Sequence, residues 1–87
     1  VYIQDKYERI SALIPEIDGA INDKTKGWST ERMNKVDLTI LRLGVYEIMH
    51  DGDIPQSVAV NEAVELAKKF GSEESYSFVN GVLAKFL

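Results

Sequence analysis

Large apolar residues recur at Ile3, Tyr7, Ile10, Ile14, Ile17 and Ile21, in alternating steps of four and three. That spacing puts all of them on one face of a helix and predicts a helix over about residues 2–24. Pro15 falls inside it, removing one backbone donor and crowding the carbonyl of Ser11, so a kink or a break is expected near Ile14. A stripe this regular has two readings, packing within the domain's own core or a seam for a second copy. With so few turns, core packing is the preferred one.

Lys24-Thr25-Lys26-Gly27 reads as a helix end, with cations at the negative pole of the dipole and a glycine available for the cap. Trp28 precedes Ser29, a good N-cap, and so stands where an apolar residue staples the start of a helix. The expected helix is short, about residues 30–35, ending near Asn34, with Asp37 a second N-cap candidate. From Leu38 the apolar residues Leu38, Leu41, Val45 and Ile48, flanked by Ile40, Leu43 and Met49, cover more than half of a helix reaching His50. This should be the central helix. Gly44 on it costs roughly 1 kcal/mol against alanine, a loss usually offset by close approach of a neighbouring helix.

Asp51-Gly52-Asp53 marks a turn, and Ile54-Pro55 leads out of it in extended or first-turn geometry. A further helix runs from about Val58 or Asn61 to Phe70, with Asn61 a candidate cap and Gly71 the stop. Ser72 caps the last helix, with Glu73 and Glu74 in its first turn, where the dipole favours anions. Its apolar face is Phe78 or Val79 with Val82, Leu83 and Phe86. No period-two alternation supports a strand. The fold class expected is all-α, a compact bundle of about five helices joined by short loops, in which consecutive helices pack as neighbours.

Composition agrees with a single small domain. At 87 residues the chain buries only somewhat more than roughly 60% of its unfolded surface, so its stability is thin. An apolar content of 45% suffices for one core. With no cysteine, disulfide frameworks and thiolate metal sites are excluded, and a reducing, cytoplasmic setting is the simpler expectation. No apolar run is long enough to span a membrane, and the first residues lack the order of a signal peptide. The chain begins without methionine and in mid-helix pattern, as a piece of a longer protein would.

The net charge of −4 is uneven, with six acids against three bases from Asp51 onward. That is the opposite of a nucleic-acid footprint, and the only adjacent basic pair is Lys68-Lys69. An RNA role would therefore need basic charge from a partner or from another segment.

Catalytic chemistry finds little to stand on. A triad needs a base beside its nucleophile, and the sole histidine, His50, ends a helix next to Asp51 and Asp53, where a cap contact or a solvated side chain explains it. Gly52 and the following Ile54-Pro55 break the ligand spacing of a calcium loop. Glu62 and Glu65 share a helical face, but paired carboxylates act as acid and base only in a cleft that separates their pKa values. Glu65 is better placed to pair with Lys68 or Lys69. Gly27, Gly44, Gly52, Gly71 and Gly81 are scattered and form no phosphate cradle. The chain reads as a non-enzyme without metal or cofactor. Phe70 has two readings: a core ring closing its helix, or, flanked by Lys68 and Lys69, a ring on which an unpaired base stacks.

The assembled residues resemble the NusB family of transcription antitermination factors. The likeness runs through Trp28-Ser29, Glu31-Arg32 and Asp37, then Ile40-Leu41-Arg42-Leu43 with Tyr46-Glu47. It continues through Ile54-Pro55, Val58, Asn61-Glu62-Ala63-Val64-Glu65-Leu66-Ala67-Lys68 and Phe70-Gly71, and ends on Ser75 with Phe78-Val79-Asn80-Gly81-Val82-Leu83. A spaced set of this length, covering roughly residues 1–87, is far more specific than one short motif.

The resemblance implies an RNA-binding protein that pairs with the ribosomal protein NusE, holds the boxA element of nascent RNA and joins the RNA polymerase antitermination complex, notably on ribosomal RNA operons. It implies two small helical subdomains. This chain corresponds to the C-terminal one plus the long helix before it, residues 1–87 forming a single helical domain that lacks the family's N-terminal basic helices. RNA contacts implied here are Phe70, with its flanking Lys68 and Lys69, and Ser72, Glu74 and Phe78. Glu31 and Asp37 correspond to positions near the RNA and partner surface, although exposed acids near a cap would also explain them. Ala84 stands where the family commonly has an aspartate, so a polar link made there is lost. Two alternatives remain: the NusB-like domain of a ribosomal RNA cytosine methyltransferase, and a structural helical module that forms a homodimer through the stripe from Ile3 to Ile21.

Overall fold

A computed structural model describes residues 2–25, 30 and 33–87, with side chains from residue 8 onward. Four helices follow one another: α1 (Tyr2–Lys24), α2 (Lys35–His50), α3 (Gln56–Phe70) and α4 (Ser75–Ala84). Among the described residues there is no strand. Among the described residues the architecture is all-α, with four helices rather than about five. The separate helix expected over 30–35 does not stand: Thr30 lies in a turn, Met33 in a bend, and Lys35 already opens α2. Trp28, Ser29, Glu31 and Arg32 lie outside the described residues.

The reason is the cap. Asn34 and Asp37 are both good cap residues, and Asn34 takes the role: its Oδ1 accepts from the Asp37 backbone N–H at 2.8 Å, while its Nδ2 donates to Asp37 Oδ2 at 3.1 Å. This reciprocal pair works like a capping box and starts the central helix at Lys35, ahead of the strongly apolar sequence from Leu38. At the other end, Thr25 closes α1 by donating both its N–H and its hydroxyl to the Ile21 carbonyl, at 3.0 and 2.8 Å. The Thr30 N–H then donates to Asn22 Oδ1 at 2.8 Å and ties the connection back onto α1.

Pro15 does not break α1, which is continuous from Tyr2 to Lys24; the ring sits on the exposed side. In the stripe, Ile17 and Ile21 are fully buried, Ile10 packs against the core, and Ile14 is half-buried. The described part of the stripe therefore belongs to the core of this chain, with Ile3 and Tyr7 outside the described side chains.

The core gathers Ile17 and Ile21 from α1, Ile40, Leu41, Val45 and Tyr46 from α2, Val60, Ala63 and Ala67 from α3, and Val79, Val82 and Leu83 from α4. Helix α2 touches all three other helices, as a central helix should. At Gly44 both α3 and α4 approach closely: a Cβ there would lie 2.9 Å from Leu83 Cδ1 and 3.5 Å from Ala63 Cβ. Small residues on α3, Ala59, Ala63 and Ala67, complete the close packing.

Helix α3 starts at Gln56, with Pro55 before it supplying the first carbonyl to the Ala59 N–H at 3.0 Å. Asn61 is thus an exposed interior residue and not a cap. Gly71 ends α3, its N–H donating to the Ala67 carbonyl at 2.9 Å. Ser72 does not itself begin α4, which opens at Ser75 after Glu74. It forms the turn before it: Ser75 Oγ accepts from the Ser72 N–H at 3.0 Å, and the Ser75 N–H donates to the Ser72 carbonyl at 3.0 Å.

Candidate functional site

The α3–α4 junction and the first turns of α2 lie side by side, and two depressions form between them. The first is a cleft of about 320 Å³ lined by Met33, Asn34, Asp37, Ser72, Glu74, Ser75 and Phe78. It unites Asp37 with Ser72, Glu74 and Phe78, which are far apart in sequence. Asp37 is only 7% exposed, and its Oδ1 is buried without a hydrogen-bond donor while Oδ2 is held by Asn34. Ser72 and Ser75 are engaged with each other, their hydroxyls 3.2 Å apart. Glu74 is exposed and Phe78 half-buried. Among the described residues no lysine or arginine lines this cleft.

The second is a groove of about 390 Å³ between α2 and α3, lined by Lys35, Val36, Thr39, Ile40, Leu43, Leu66 and Phe70. Phe70 is 62% exposed, so the ring does not close the helix end against the core. Lys69 Nζ lies over its ring, 5.6 Å from the centroid. The groove is thus apolar in its floor, with Lys35 in its wall and Lys69 over the Phe70 ring at its edge. That combination suits a planar, uncharged ring with an anion beside it.

Lys68 points elsewhere. It pairs with Glu65 at 3.5 Å, as the spacing predicts, and lies 5.6 Å from the centroid of Tyr76, which is 44% exposed. The site residues expected from sequence therefore fall into three neighbouring settings. Ser72, Glu74, Phe78 and Asp37 share the acidic cleft, Phe70 and Lys69 edge the apolar groove, and Lys68, next to Lys69, lies by Glu65 and Tyr76. Glu31 lies outside the described residues.

Residues the sequence did not single out also contribute. Asn34 fixes the cleft's carboxylate, Lys35 and Val36 form the groove's wall, and Tyr76 adds a second exposed ring. Only the spacing of Lys35, Thr39 and Leu43 along one side of α2 could have pointed to the groove, and it needs the position of α3 to become a site.

His50 ends α2 and lies 3.4 Å from Glu16 of α1, which makes it a contact between helices rather than part of a reactive cluster. Among the described residues, no group of three or more metal-ligating side chains is gathered, and no helix is long and apolar enough to cross a membrane.

Comparison with known proteins bears on this arrangement. The chain matches the NusB family over residues 2–87. The transcription antitermination protein NusB of Agathobacter rectalis is 58% identical over 85 residues, covering 98% of this chain and 65% of that protein. That of Acetivibrio thermocellus is 54% identical over 84 residues, covering 97% and 58%. A solved structure of T. maritima NusB superimposes with a TM-score of 0.85 at 40% identity, over 88% of this chain and 54% of that one. The chain thus spans less than two thirds of these relatives' length. With a match along nearly its whole length, in sequence and in helical architecture, the chain belongs to the NusB family.

Proposed function

We propose that the protein works as a transcription antitermination factor, binding boxA-type RNA together with the ribosomal protein NusE within the antitermination complex of a bacterial cytoplasm. Its role is binding and not catalysis. The observation that carries this reading beyond family membership is the convergence of Asp37, Ser72, Glu74 and Phe78 on one cleft beside the exposed ring of Phe70.

Charge decides how the work is divided. Phosphates are repelled from a cleft holding Asp37 and Glu74, whereas Lys35 and Lys69 flank the Phe70 groove. The RNA therefore runs along the Phe70 edge, with an unpaired base stacked on that ring and phosphates beside Lys69 and Lys68. Ser72, Glu74 and Phe78 border that path without receiving a phosphate. Asp37 is assigned to the protein partner, as Glu31 is by its family position alone.

Because these 87 residues carry a net charge of −4, their own affinity for RNA is weak, and the positive charge comes from NusE or from basic helices like those the family carries ahead of this segment. The test is to mix the protein with NusE and boxA-like RNA at several salt concentrations. NusE should raise RNA affinity, with a preference over scrambled RNA. Equal binding of scrambled RNA, or no gain from NusE, would refute the reading.

A further inference from the structure

The acidic cleft contains a group left without a partner among the described residues. Asp37 is more than nine-tenths buried, its Oδ2 is fixed by the Asn34 amide, and its Oδ1 has no donor. A buried carboxylate oxygen without a partner is costly in the free protein, and that cost is recovered when a donor arrives. Among the described residues no donor reaches it. The neighbouring hydroxyls of Ser72 and Ser75 are turned to each other, and the Ser72 N–H is spent on Ser75 Oγ.

We infer that this cleft is a socket for an arginine side chain of the protein partner, with Asp37 and Glu74 as its two carboxylates. This rests on the pairing with a second protein proposed above. Three observations select the occupant. The lining holds two acids and, among the described residues, no cation, so it rejects a phosphate and attracts a cation. Its volume of about 320 Å³ admits one long side chain and not a helix or a strand. The acceptors belong to different elements, Asp37 to α2 and Glu74 to the turn before α4. A planar guanidinium with five donors in a fixed fork can serve both at once, whereas a compact ammonium cannot.

Asp37 Oδ1 is closed to water, so the rim must yield as the side chain enters. Exposed Glu74 is the rim residue able to swing. The same motion brings its carboxylate onto the incoming charge. Base pairing edges, by contrast, would satisfy Oδ1 but leave the second carboxylate facing an anionic chain.

The test measures NusE affinity for the wild type, Asp37→Asn and Glu74→Gln, with boxA-like RNA binding measured in parallel and melting curves checking the fold. Glu74 is exposed, so its variant keeps the result readable should Asp37→Asn fold poorly. Asp37→Asn should weaken NusE binding by about thirty-fold or more, the loss expected when one member of a buried charge pair is removed, and Glu74→Gln less. Replacing the inserted arginine of NusE by glutamine should cost as much and leave Asp37→Asn with little further effect. A second arm titrates a short arginine peptide and its citrulline counterpart, the neutral isostere, followed by NMR. The arginine peptide alone should shift the amides of Asp37, Ser72 and Ser75.

Unchanged NusE affinity in both variants would overturn the inference. So would a loss confined to RNA binding, which would mean a nucleobase occupies the cleft. If wild type fails to bind NusE at all, the functional reading fails, and the peptide arm still judges the socket: equal response to arginine and citrulline rejects it.

Discussion

Arg42 of α2 holds Asp18 of α1 through two parallel hydrogen bonds, Nε to Oδ1 at 2.8 Å and Nη2 to Oδ2 at 2.7 Å. This is the bidentate geometry that makes a guanidinium–carboxylate pair stronger than an ordinary surface ion pair. Both side chains are mostly covered, at 29% and 21% exposure, so solvent screens the pair only in part. The pair belongs to the α1·α2 seam, as does the contact of Glu16 with His50. It orients the long first helix against the helix that carries the candidate site.

Arg42→Lys should therefore destabilise the fold by about 1–2 kcal/mol, because the charge is kept and the fork is lost. Hydrogen bonding to Asp18, with its charge a lesser contribution, raises the Arg42 pKa above the ordinary arginine range, against the opposing effect of burial. A base with a raised pKa contributes stability at every pH below its ordinary value and loses it only as pH climbs through the raised one. The difference between wild type and Arg42→Lys should thus hold constant from about pH 6 to pH 9, as urea melts can establish. A difference that changes within that window would mean that a group other than the Arg42–Asp18 pair sets it.

Gly44→Ala sets two effects of opposite sign against each other. Alanine gains roughly 1 kcal/mol of helix propensity. The added methyl group, however, would lie 2.9 Å from Leu83 Cδ1, and Leu83 is fully buried. Overpacking of this kind costs about 1–3 kcal/mol, so the expected net effect is a loss of about 1 kcal/mol, seen as a lower melting temperature. In a Leu83→Ala background the clash is gone, and Gly44→Ala should become neutral or stabilising. Additive losses in the double variant would show that Leu83 is not the obstacle.

Asn34→Ala removes both the cap and the anchor of Asp37 Oδ2 and should cost about 1–2 kcal/mol. Asn34→Ser keeps an acceptor for the Asp37 N–H but has no amide to donate. It should recover most of the stability. Thermal melts of the two variants separate capping from the side-chain bond.

What could be read before the structure follows from the range of each interaction. The central position of α2, the close approach at Gly44 and the Glu65–Lys68 pair depend on periodicity and on short spacings along one helix, and all appear as expected. The start of α2 was not legible, because Asn34 and Asp37 are equally good caps locally and only their mutual hydrogen bonds decide between them. For the same reason a fifth helix was expected where a turn and a bend occur at Thr30 and Met33. Phe70 was left between core and surface, since the final turn of a helix can face either way until its neighbours are placed. The cleft was out of reach altogether: it requires Asp37 and Glu74 to meet across two elements.

Phe70→Ala separates the binding role of this ring from any structural one. At 62% exposure the ring contributes little to folding, and surface substitutions of this kind usually change stability by less than about 0.5 kcal/mol. Stacking of a base on an aromatic ring is worth about 1–3 kcal/mol, so the variant should bind boxA-like RNA in the presence of NusE roughly ten-fold more weakly. Phe70→Trp should retain binding, because a larger π-face in the same groove still stacks. Lys69→Gln acts differently: it removes a charge beside the ring, so it should weaken binding across RNA sequences alike and flatten the dependence on salt. Fluorescence anisotropy at two salt concentrations distinguishes these outcomes. Loss of thermal stability in Phe70→Ala, with RNA affinity unchanged, would assign the ring to the core and remove the stacking surface from the proposal.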